Sequence, residues 1–299
     1  MSALSIVFTN MYTMHCGICS TTMKQGLLHW HYECQRCGYQ ASTLTPTITH
    51  TASLLLDEHD RFIGLQSLRI HNFHQLTETL RRFINGPRTL LEIGCAHGWF
   101  LDSAVMRGFR VIGIEPDLSV SRTASRRRLP ILNGYFPDAL LQTAVFDIIA
   151  FNDVFEHLPD VNAALEDCKA HLLPGGLLLL NLPSSKGFIY RCCYFLAKLG
   201  FSKFFERMWQ SGLPSPHLHY FETDSLHTLL AQLSFQIVHS GHLSTLHLKG
   251  LYQRISHVGG DSPLLHFIAY LGAIVALPLL SILPSDNVYV VAKTYSNRT

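Results

Sequence analysis

Short apolar runs of strand length alternate with segments of helical periodicity through the middle of the chain. The first run, TLLEI (Thr89–Ile93), is followed by a glycine turn at 94–98 and then by apolar residues at helical spacing. Three more runs of the same character follow, namely VIGIE (111–115), FDIIAF (146–151) and LLLLNLP (177–183). Buried strands that alternate with helices are typical of a parallel sheet. The pattern therefore predicts an open α/β sheet.

Weaker patterns predict the elements around these strands. A helix is predicted over 64–84, because its apolar residues fall largely on one face and Asn85-Gly86-Pro87 ends it. The segment NVYVVAKTY (287–295) is predicted to be a final antiparallel strand of the same sheet. The remaining predicted elements are helices over 118–128, 161–172 and 226–233 and strands over 130–133 and 235–239.

Two apolar inserts interrupt the regular pattern. Residues 187–209 mix many aromatic residues with Arg191, Lys198, Lys203 and Arg207, which fits either a helix in a lipid interface or a lid on the protein's own surface. Residues 264–283 contain no charged side chain and alone would be a candidate membrane span. The strand that follows must return to the sheet, so a buried helix pair, an in-plane helix or a re-entrant hairpin fits better. We expect peripheral contact with the inner face of the membrane.

Composition narrows the class and the compartment. The 299 residues carry a formal net charge of +2, which is not the balance of a protein that holds a nucleic acid backbone. Charged residues make up 15% of the chain and the mean hydropathy is +0.18, which points to some apolar surface. The first fifteen residues lack the pattern of a secretory signal. We therefore expect a cytoplasmic protein whose cysteines are reduced.

Four cysteines near the N-terminus have the spacing of a metal site. They form two C-x-x-C pairs about fourteen residues apart, Cys16 with Cys19 and Cys34 with Cys37. Four thiolates complete a closed tetrahedral zinc site, so the metal would be structural. His29 and His31 lie between the pairs and are expected on the exposed face of a hairpin strand. Residues 42–53 are expected to be a linker, and the other four cysteines to be packed thiols.

The first glycine turn carries the pattern of a ligand-binding loop. Glu92-x-Gly94-x-Ala96-x-Gly98 follows the first strand, and Glu115 ends the second strand about twenty residues later. A carboxylate at that offset meets ribose hydroxyls in nucleotide-type folds, and the incomplete glycine pattern favours a nucleoside without pyrophosphate. This pattern resembles the class I S-adenosylmethionine-dependent methyltransferases, whose usual loop has glycine where Ala96 stands.

Later segments extend the resemblance. Asp153 to Leu158 resembles the D-x-x-E-H-L motif of that family, and LPGG (173–176) precedes a strand as it does there. The segment PSPHLHYFETDSL (214–226) resembles one found in ubiquinone-type O-methyltransferases and in many zinc-ribbon methyltransferases. The resemblance implies a Rossmann-like, seven-stranded sheet with a small N-terminal zinc ribbon. The implied domains are a ribbon (1–50), a linker with a lead-in helix (51–87) and a methyltransferase domain (88–299) with inserts at 187–216 and 243–286.

The resemblance also implies roles for individual residues. Glu115 would bind the ribose hydroxyls, and Phe136 would face the adenine. Asn152 and Asp153 would close the pocket near the sulfonium. The loop under the methionine part would be shaped by Glu92, Gly94, Ala96 and Gly98.

The expected function is methyl transfer from S-adenosylmethionine to a small-molecule, sugar or lipid-linked acceptor, at oxygen. An oxygen acceptor needs a base, for which His157, His217 and His219 are the candidates. An RNA or protein methyltransferase that grips its substrate with the ribbon is the alternative, and a binding protein without activity is a third. The sequence does not name the acceptor.

Overall fold

The computed structural model of the chain describes residues 14–47, 58–86, 88–245, 251–256 and 263–294. The strands of the large sheet are β4 (Thr89–Ile93), β5 (Arg110–Glu115), β6 (Ile131–Asn133), β7 (Phe146–Asn152), β8 (Leu172–Pro183), β10 (Phe235–Leu243) and β11 (Asn287–Thr294). The strands of a small sheet are β1 (Lys24–Gln25), β2 (His31–Glu33), β3 (Gln40–Ser42) and β9 (His219–Tyr220). The helices are α1 (Glu58–Arg81), α2 (Trp99–Val105), α3 (Leu118–Ser125), α4 (Val161–His171), α5 (Phe188–Lys198), α6 (Ser202–Met208), α7 (Thr223–Gln232), α8 (Leu251–Ser256) and α9 (Pro263–Ile282).

The large sheet confirms the predicted fold. Its strand order is β10-β11-β8-β7-β4-β5-β6, and β11 runs antiparallel to both of its neighbours while the central pairs are parallel. The central strands β4 and β7 are almost entirely buried, because helices and loops cover both faces of the sheet there. Leu90, Leu91, Ile148 and Ile149 are fully buried and pack alternately into two separate core clusters.

Several element boundaries differ from those predicted. Helix α1 begins at Glu58 rather than residue 64, because its polar first turn adds nothing to the apolar stripe that set the predicted start. Helix α3 ends at Ser125, three residues early, and Arg128 turns the chain with φ +62°. Strand β10 continues to Leu243 because β11 pairs with it along its whole length. The final residue of the predicted last strand lies outside the described residues.

The small sheet joins the N-terminal segment to the segment that follows the first apolar insert. Strand β9 pairs antiparallel with β3, which places Gln40 opposite Tyr220. Residues 43–47, expected to be linker, run along this sheet, and the amide of Thr47 donates to the carbonyl of Pro214 at 2.9 Å. The cysteine-bearing segment is therefore continuous with the region around β9. The rest of the expected linker, up to residue 57, lies outside the described part.

The first apolar insert forms two helices, α5 and α6, that pack on the small sheet. Trp30 stacks on Phe205 with ring centroids 6.4 Å apart, and Tyr190 is also buried there. The prediction that His31 lies on an exposed strand face is wrong, because α6 covers that face. His31 is fully buried, and its Nε2 lies 2.9 Å from Oε1 of Gln40.

The second apolar insert contains α8 and α9. The rings of Tyr252 and Tyr270 pack edge to face with centroids 5.6 Å apart, so the two helices form a pair. The pair is not buried, since Leu264, Phe267, Ile268 and Val275 are each at least half exposed. Among the residues that the structure describes, no helix is long and apolar enough to cross a membrane.

Candidate active site

One cavity of about 850 Å³ lies at the carboxyl ends of β4, β5 and β7. Ligands bind at such edges of open α/β sheets. The wall brings together most of the residues that the sequence assigned to the site, namely Gly94, Ala96, Glu115, Phe136, Asn152, Asp153 and His157. Glu92, Gly98, His217 and His219 do not line it.

The glycine loop between β4 and α2 is tightly packed beneath the cavity. Gly94 has φ +67°, and a Cβ added there would lie 2.5 Å from Cγ2 of Val154. Gly98, the residue before α2, has φ +74° and would collide with Leu129 in the same way. Ala96 shares the left-handed conformation at φ +44°, a strain that a small side chain tolerates best. The loop therefore brings backbone close to whatever the cavity holds.

Glu115 is fixed at the end of β5 by backbone amides. Its Oε2 accepts from the amide of Ala96 and its Oε1 from that of Asp117, both at 2.9 Å. Glu115 lines the cavity at the end of β5, which is the place where a carboxylate meets ribose hydroxyls in nucleotide-type folds. A pair of vicinal hydroxyls, as on a ribose, fits this arrangement.

Glu92 and Asn152 form a buried pair behind the loop. Nδ2 of Asn152 donates to Oε1 of Glu92 at 2.9 Å. Oε2 of Glu92 and Oδ1 of Asn152 have no hydrogen-bond partner within the described residues. Burial of Glu92 raises the pKa of its carboxyl well above the usual range. Two buried acceptors without donors suit a ligand that brings an ammonium group, as S-adenosylmethionine does.

Arg69 is a site residue that the sequence analysis missed. It projects from α1 into the cavity wall, and its Nη2 lies 3.1 Å from Oδ2 of Asp153. A guanidinium there offers further donors to a carboxylate ligand. The signal in the sequence was a lone cation next to the apolar stripe of α1, which does not by itself indicate a binding residue.

Phe136 lies in the loop after β6 and forms part of the wall. Its ring is nearly perpendicular to that of Phe151, with centroids 6.3 Å apart, and it also contacts the ring of His171. Held from behind by these rings, Phe136 presents an apolar surface to the cavity. Such a surface suits a planar base.

The three candidate histidines have different surroundings. His157 lines the cavity, and its Nδ1 lies 2.9 Å from the carbonyl oxygen of Pro216. His217 is buried behind the wall, with its Nε2 at 2.8 Å from Nε2 of Gln210. His219 lies 2.7 Å from the carbonyl of Leu158, and burial lowers its pKa to about 4. A histidine that stays neutral and packed in this way favours a structural part for His219.

The four cysteines of the N-terminal segment converge on one point. Their sulfur atoms all lie within 4.8 Å of one another, with 3.5 Å between Cys16 and Cys37 and 3.4 Å between Cys19 and Cys34. Zn–S bonds of about 2.3 Å in a tetrahedron put sulfurs about 3.8 Å apart, so the geometry suits zinc. None of the four lines the cavity.

Comparison with known proteins identifies the family. Residues 67–240 match a family model described as a methyltransferase domain. The chain belongs to this methyltransferase family. A ubiquinone biosynthesis O-methyltransferase of Rhodopseudomonas palustris is 28% identical over 161 residues, which are 48% of this chain and 64% of that protein. One from Paramagnetospirillum magneticum is 33% identical over 107 residues, which are 34% of this chain and 43% of that protein. The chain thus spans about half the length of these relatives.

Solved structures agree on the fold. The cyclopropane synthase MmaA2 from Mycobacterium tuberculosis superposes with a TM-score of 0.57 at 15% identity, over 85% of this chain and 100% of that one. A putative methyltransferase structure from Haloferax volcanii, determined with the activator Trm112, gives 0.54 at 13% identity, over 85% and 100% of the chains. At such identities the likeness shows the fold alone, which is the class I S-adenosylmethionine-dependent methyltransferase fold.

Proposed function

We propose that the protein transfers the methyl group of S-adenosylmethionine to an oxygen atom of a small molecule. The observation that carries this proposal is a single cavity with two ends. The cofactor end is the part of the wall formed by the glycine loop and Glu115. The acceptor end is the part formed by His157 with Gln210, Leu213 and Pro214. Relatives named as O-methyltransferases and as a trans-aconitate 2-methyltransferase support a small acceptor.

The cofactor end fits S-adenosylmethionine group by group. The bound cofactor supplies an electrophilic methyl group on a positively charged sulfur. Glu115 holds the ribose, Phe136 covers the base and Arg69 binds the carboxylate. The ammonium group lies near Asn152, which lines the cavity, and its charge offsets the unpaired acceptors of Asn152 and of Glu92 behind it. Positioning of this kind supplies most of the acceleration of an in-line displacement.

The acceptor end brings a hydroxyl to His157. The acceptor oxygen forms a bond to the methyl carbon while the carbon–sulfur bond breaks and leaves its electron pair on sulfur. The hydroxyl proton is transferred to Nε2 of His157. Pro216 accepts a hydrogen bond from Nδ1, so Nε2 of the neutral ring carries the lone pair.

We also propose that Cys16, Cys19, Cys34 and Cys37 hold one structural zinc ion in an N-terminal ribbon, expected over residues 1–50, of which residues 14–47 are described. The convergence of the four sulfurs supports this assignment. The described part of the ribbon contacts β9 and the helices α5 and α6, and Pro46 near its end reaches the cavity wall. The metal would therefore support the acceptor end of the methyltransferase domain (88–299) from outside.

A further proposal is peripheral contact with the cytoplasmic face of a membrane, which would suit a lipid-linked acceptor. Four large apolar side chains at the junction of α5 and α6 are more than half exposed, namely Phe195, Leu199, Phe201 and Phe204. Lys198 and Lys203 lie beside them in the chain. Exposed apolar side chains next to cations are typical of surfaces that bind anionic lipid.

The test is methylation with labelled S-adenosylmethionine of polar and lipid extracts from the host, with Glu115→Ala as the inactive control. Label in a small or lipid-linked product, at an alkali-stable methyl ether or a methyl ester, supports the proposal. Label only in RNA or protein, or on nitrogen or carbon, would overturn it. Calorimetry without binding of S-adenosylmethionine would instead favour a binding protein that lacks the activity.

A further inference from the structure

Behind the acceptor end of the cavity, three side chains that can bind a metal face one another. Oε1 of Glu156 lies 3.8 Å from Nε2 of His157 and 4.0 Å from Nε2 of His217. One ligand atom from each residue lies within 4.8 Å of the others. Bonds of about 2.1 Å to a shared ion would place such atoms about 3.4 Å apart in a tetrahedron. The cluster therefore needs only a small inward movement to hold an ion.

Hydrogen bonds on the far side of each imidazole direct Nε2 toward Glu156. The carbonyl of Pro216 can only accept, so Nδ1 of His157 carries the proton at 2.9 Å. Tyr220 donates its hydroxyl proton to the carbonyl of Met208 at 2.8 Å, so it accepts from Nδ1 of His217 at 3.2 Å. With Nδ1 as the donor, the neutral form of each ring has its lone pair on Nε2. Metal-binding histidines are oriented by partners of this kind.

Glu156 is the member of the cluster whose buried, partly unpaired carboxyl group would be stabilised by a cation. The side chain is 1% exposed, and its Oε2 has no hydrogen-bond partner among the described residues. Buried carboxylates are usually paired or bind metals, because an opposite charge offsets the cost of desolvation.

We propose that Glu156, His157 and His217 bind a divalent transition-metal ion at the acceptor end of the cavity, separate from the four-cysteine site. Two imidazole nitrogens and one carboxylate leave further coordination positions open, as in catalytic zinc sites. His157 lines the cavity, which gives the ion an entry path and a place beside the acceptor. This assignment rests on the proposed function only for what the ion does, and not for its binding.

An ion in this position would lower the pKa of an acceptor hydroxyl at the cavity wall. The lone pair of His157 Nε2 would then serve the metal, and the hydroxyl proton would leave to water in the cavity. Gln210, whose amide nitrogen lies 2.8 Å from Nε2 of His217, would turn aside when the ion binds. The inference thus changes how His157 acts in the proposed reaction, from accepting a proton to holding a Lewis acid.

The test uses Mn²⁺, because thiolate sites bind this hard ion poorly and the four-cysteine site would not compete for it. Full-length protein that retains its cysteine-bound zinc is titrated with Mn²⁺ and free ion is counted by electron paramagnetic resonance. We expect one bound Mn²⁺ per chain in the wild type and at least about tenfold weaker binding in Glu156→Gln and His217→Gln. His239→Gln is the matched control, because His239 lies on strand β10, outside the cluster, and hydrogen-bonds Tyr289 of strand β11.

Binding of S-adenosylhomocysteine and the zinc content establish that each variant is folded. A wild type that retains two zinc ions per chain where Glu156→Gln retains one would support the same site. Absence of Mn²⁺ and of a second zinc, or unchanged Mn²⁺ binding in Glu156→Gln and His217→Gln, would overturn the inference. Metal-independent O-methylation would leave the proposed function intact, whereas metal binding with methylation only of nitrogen would reject that function and preserve the site.

Discussion

Trp30, between the two cysteine pairs, packs edge to face against Trp209 of the first apolar insert, with ring centroids 5.7 Å apart. Trp209 is fully buried, and the residue that follows it, Gln210, lines the acceptor end of the cavity. The cysteine-bearing segment therefore supports the segment that forms the acceptor wall. This support is provided by packing, since the four cysteines do not line the cavity.

This packing predicts the cost of removing Trp209. Replacement of a buried tryptophan by alanine costs about 3–5 kcal/mol because it leaves a cavity. We expect Trp209→Ala to lower the free energy of unfolding by that amount in urea titrations. Phe204→Ala is the control, since Phe204 is 56% exposed on the same insert. A loss below about 1 kcal/mol for Trp209→Ala would contradict the packing.

Removal of the structural zinc should affect the acceptor end more than the cofactor end. Metal analysis of the wild type should show the cysteine-bound zinc, and Cys16→Ser with Cys19→Ser should lose it. We expect this variant to lose acceptor methylation while its affinity for S-adenosylhomocysteine changes less than about threefold, because none of the four cysteines lines the cavity. Cys192→Ser is the control, since Cys192 is exposed and lies outside the cluster. A correctly folded wild type without zinc would contradict the assignment.

Glu115 should matter for cofactor binding more than for folding. Hydrogen bonds to a charged group contribute about 1.5–3 kcal/mol each, and two hydroxyls would bind this carboxylate. We expect Glu115→Ala to weaken binding of S-adenosylmethionine by at least about tenfold in calorimetry. Glu166→Ala serves as the control, because Glu166 forms only a surface ion pair with Lys169. An unchanged dissociation constant in Glu115→Ala would exclude the ribose role.

The cofactor end was predictable from sequence because its signals are local. The strand, the turn at Gly94 and the acid at Glu115 all follow from short patterns that a single βαβ unit imposes. Ala96 and Asn152 also lie where the sequence analysis expected them, in the cavity wall. Local periodicity likewise predicted the central strands themselves, whereas the seven-stranded sheet was implied by the family resemblance.

The acceptor end was not predictable in this way, because it depends on contacts between distant segments. The pairing of Gln40 with Tyr220 joins residues that no short pattern connects. At the cofactor end, Arg69 was missed for the same reason, because its partner Asp153 is distant in the sequence. His31 was expected on an exposed face because strand alternation is blind to a helix that packs on that face. The acceptor end of the cavity wall is built from segments that are far apart in the sequence, and for this reason the acceptor could not be named from sequence.

His219 predicts a loss of stability in mild acid. Burial lowers its pKa to about 4, whereas the unfolded chain has an ordinary value of about 6.5. The unfolded state therefore binds the proton first, so stability is full above about pH 7 and falls as the pH drops toward 4. The expected loss between pH 8 and pH 5 is about 2 kcal/mol in the free energy of unfolding. His219→Gln should remove this contribution to the slope, whereas His29→Gln, at an exposed position, should leave the slope unchanged.

Membrane contact predicts cosedimentation and flotation with anionic vesicles. Phe195, Phe201 and Phe204 expose 56–60% of their surface at the junction of α5 and α6, where no other described segment covers them. Apolar burial and the attraction of Lys198 and Lys203 to anionic lipid add. Together these two weak contributions can hold the protein on the membrane. We expect wild-type protein to float with vesicles that contain phosphatidylglycerol and to float less in high salt.

Two variants distinguish lipid binding at the junction of α5 and α6 from nonspecific adsorption to vesicles. Phe201→Ser with Phe204→Ser should reduce flotation at every salt concentration, and Lys198→Glu with Lys203→Glu should reduce it mainly at low salt, where charge attraction is strongest. Leu141→Ser is the matched control, since Leu141 is 78% exposed on the loop after β6, away from the insert. Equal flotation of all three would locate the lipid contact elsewhere, on α9 for example. A wild type that stays at the bottom with vesicles of every composition would mean that the junction of α5 and α6 does not bind lipid. The proposal of a lipid-linked acceptor would then lose its main support.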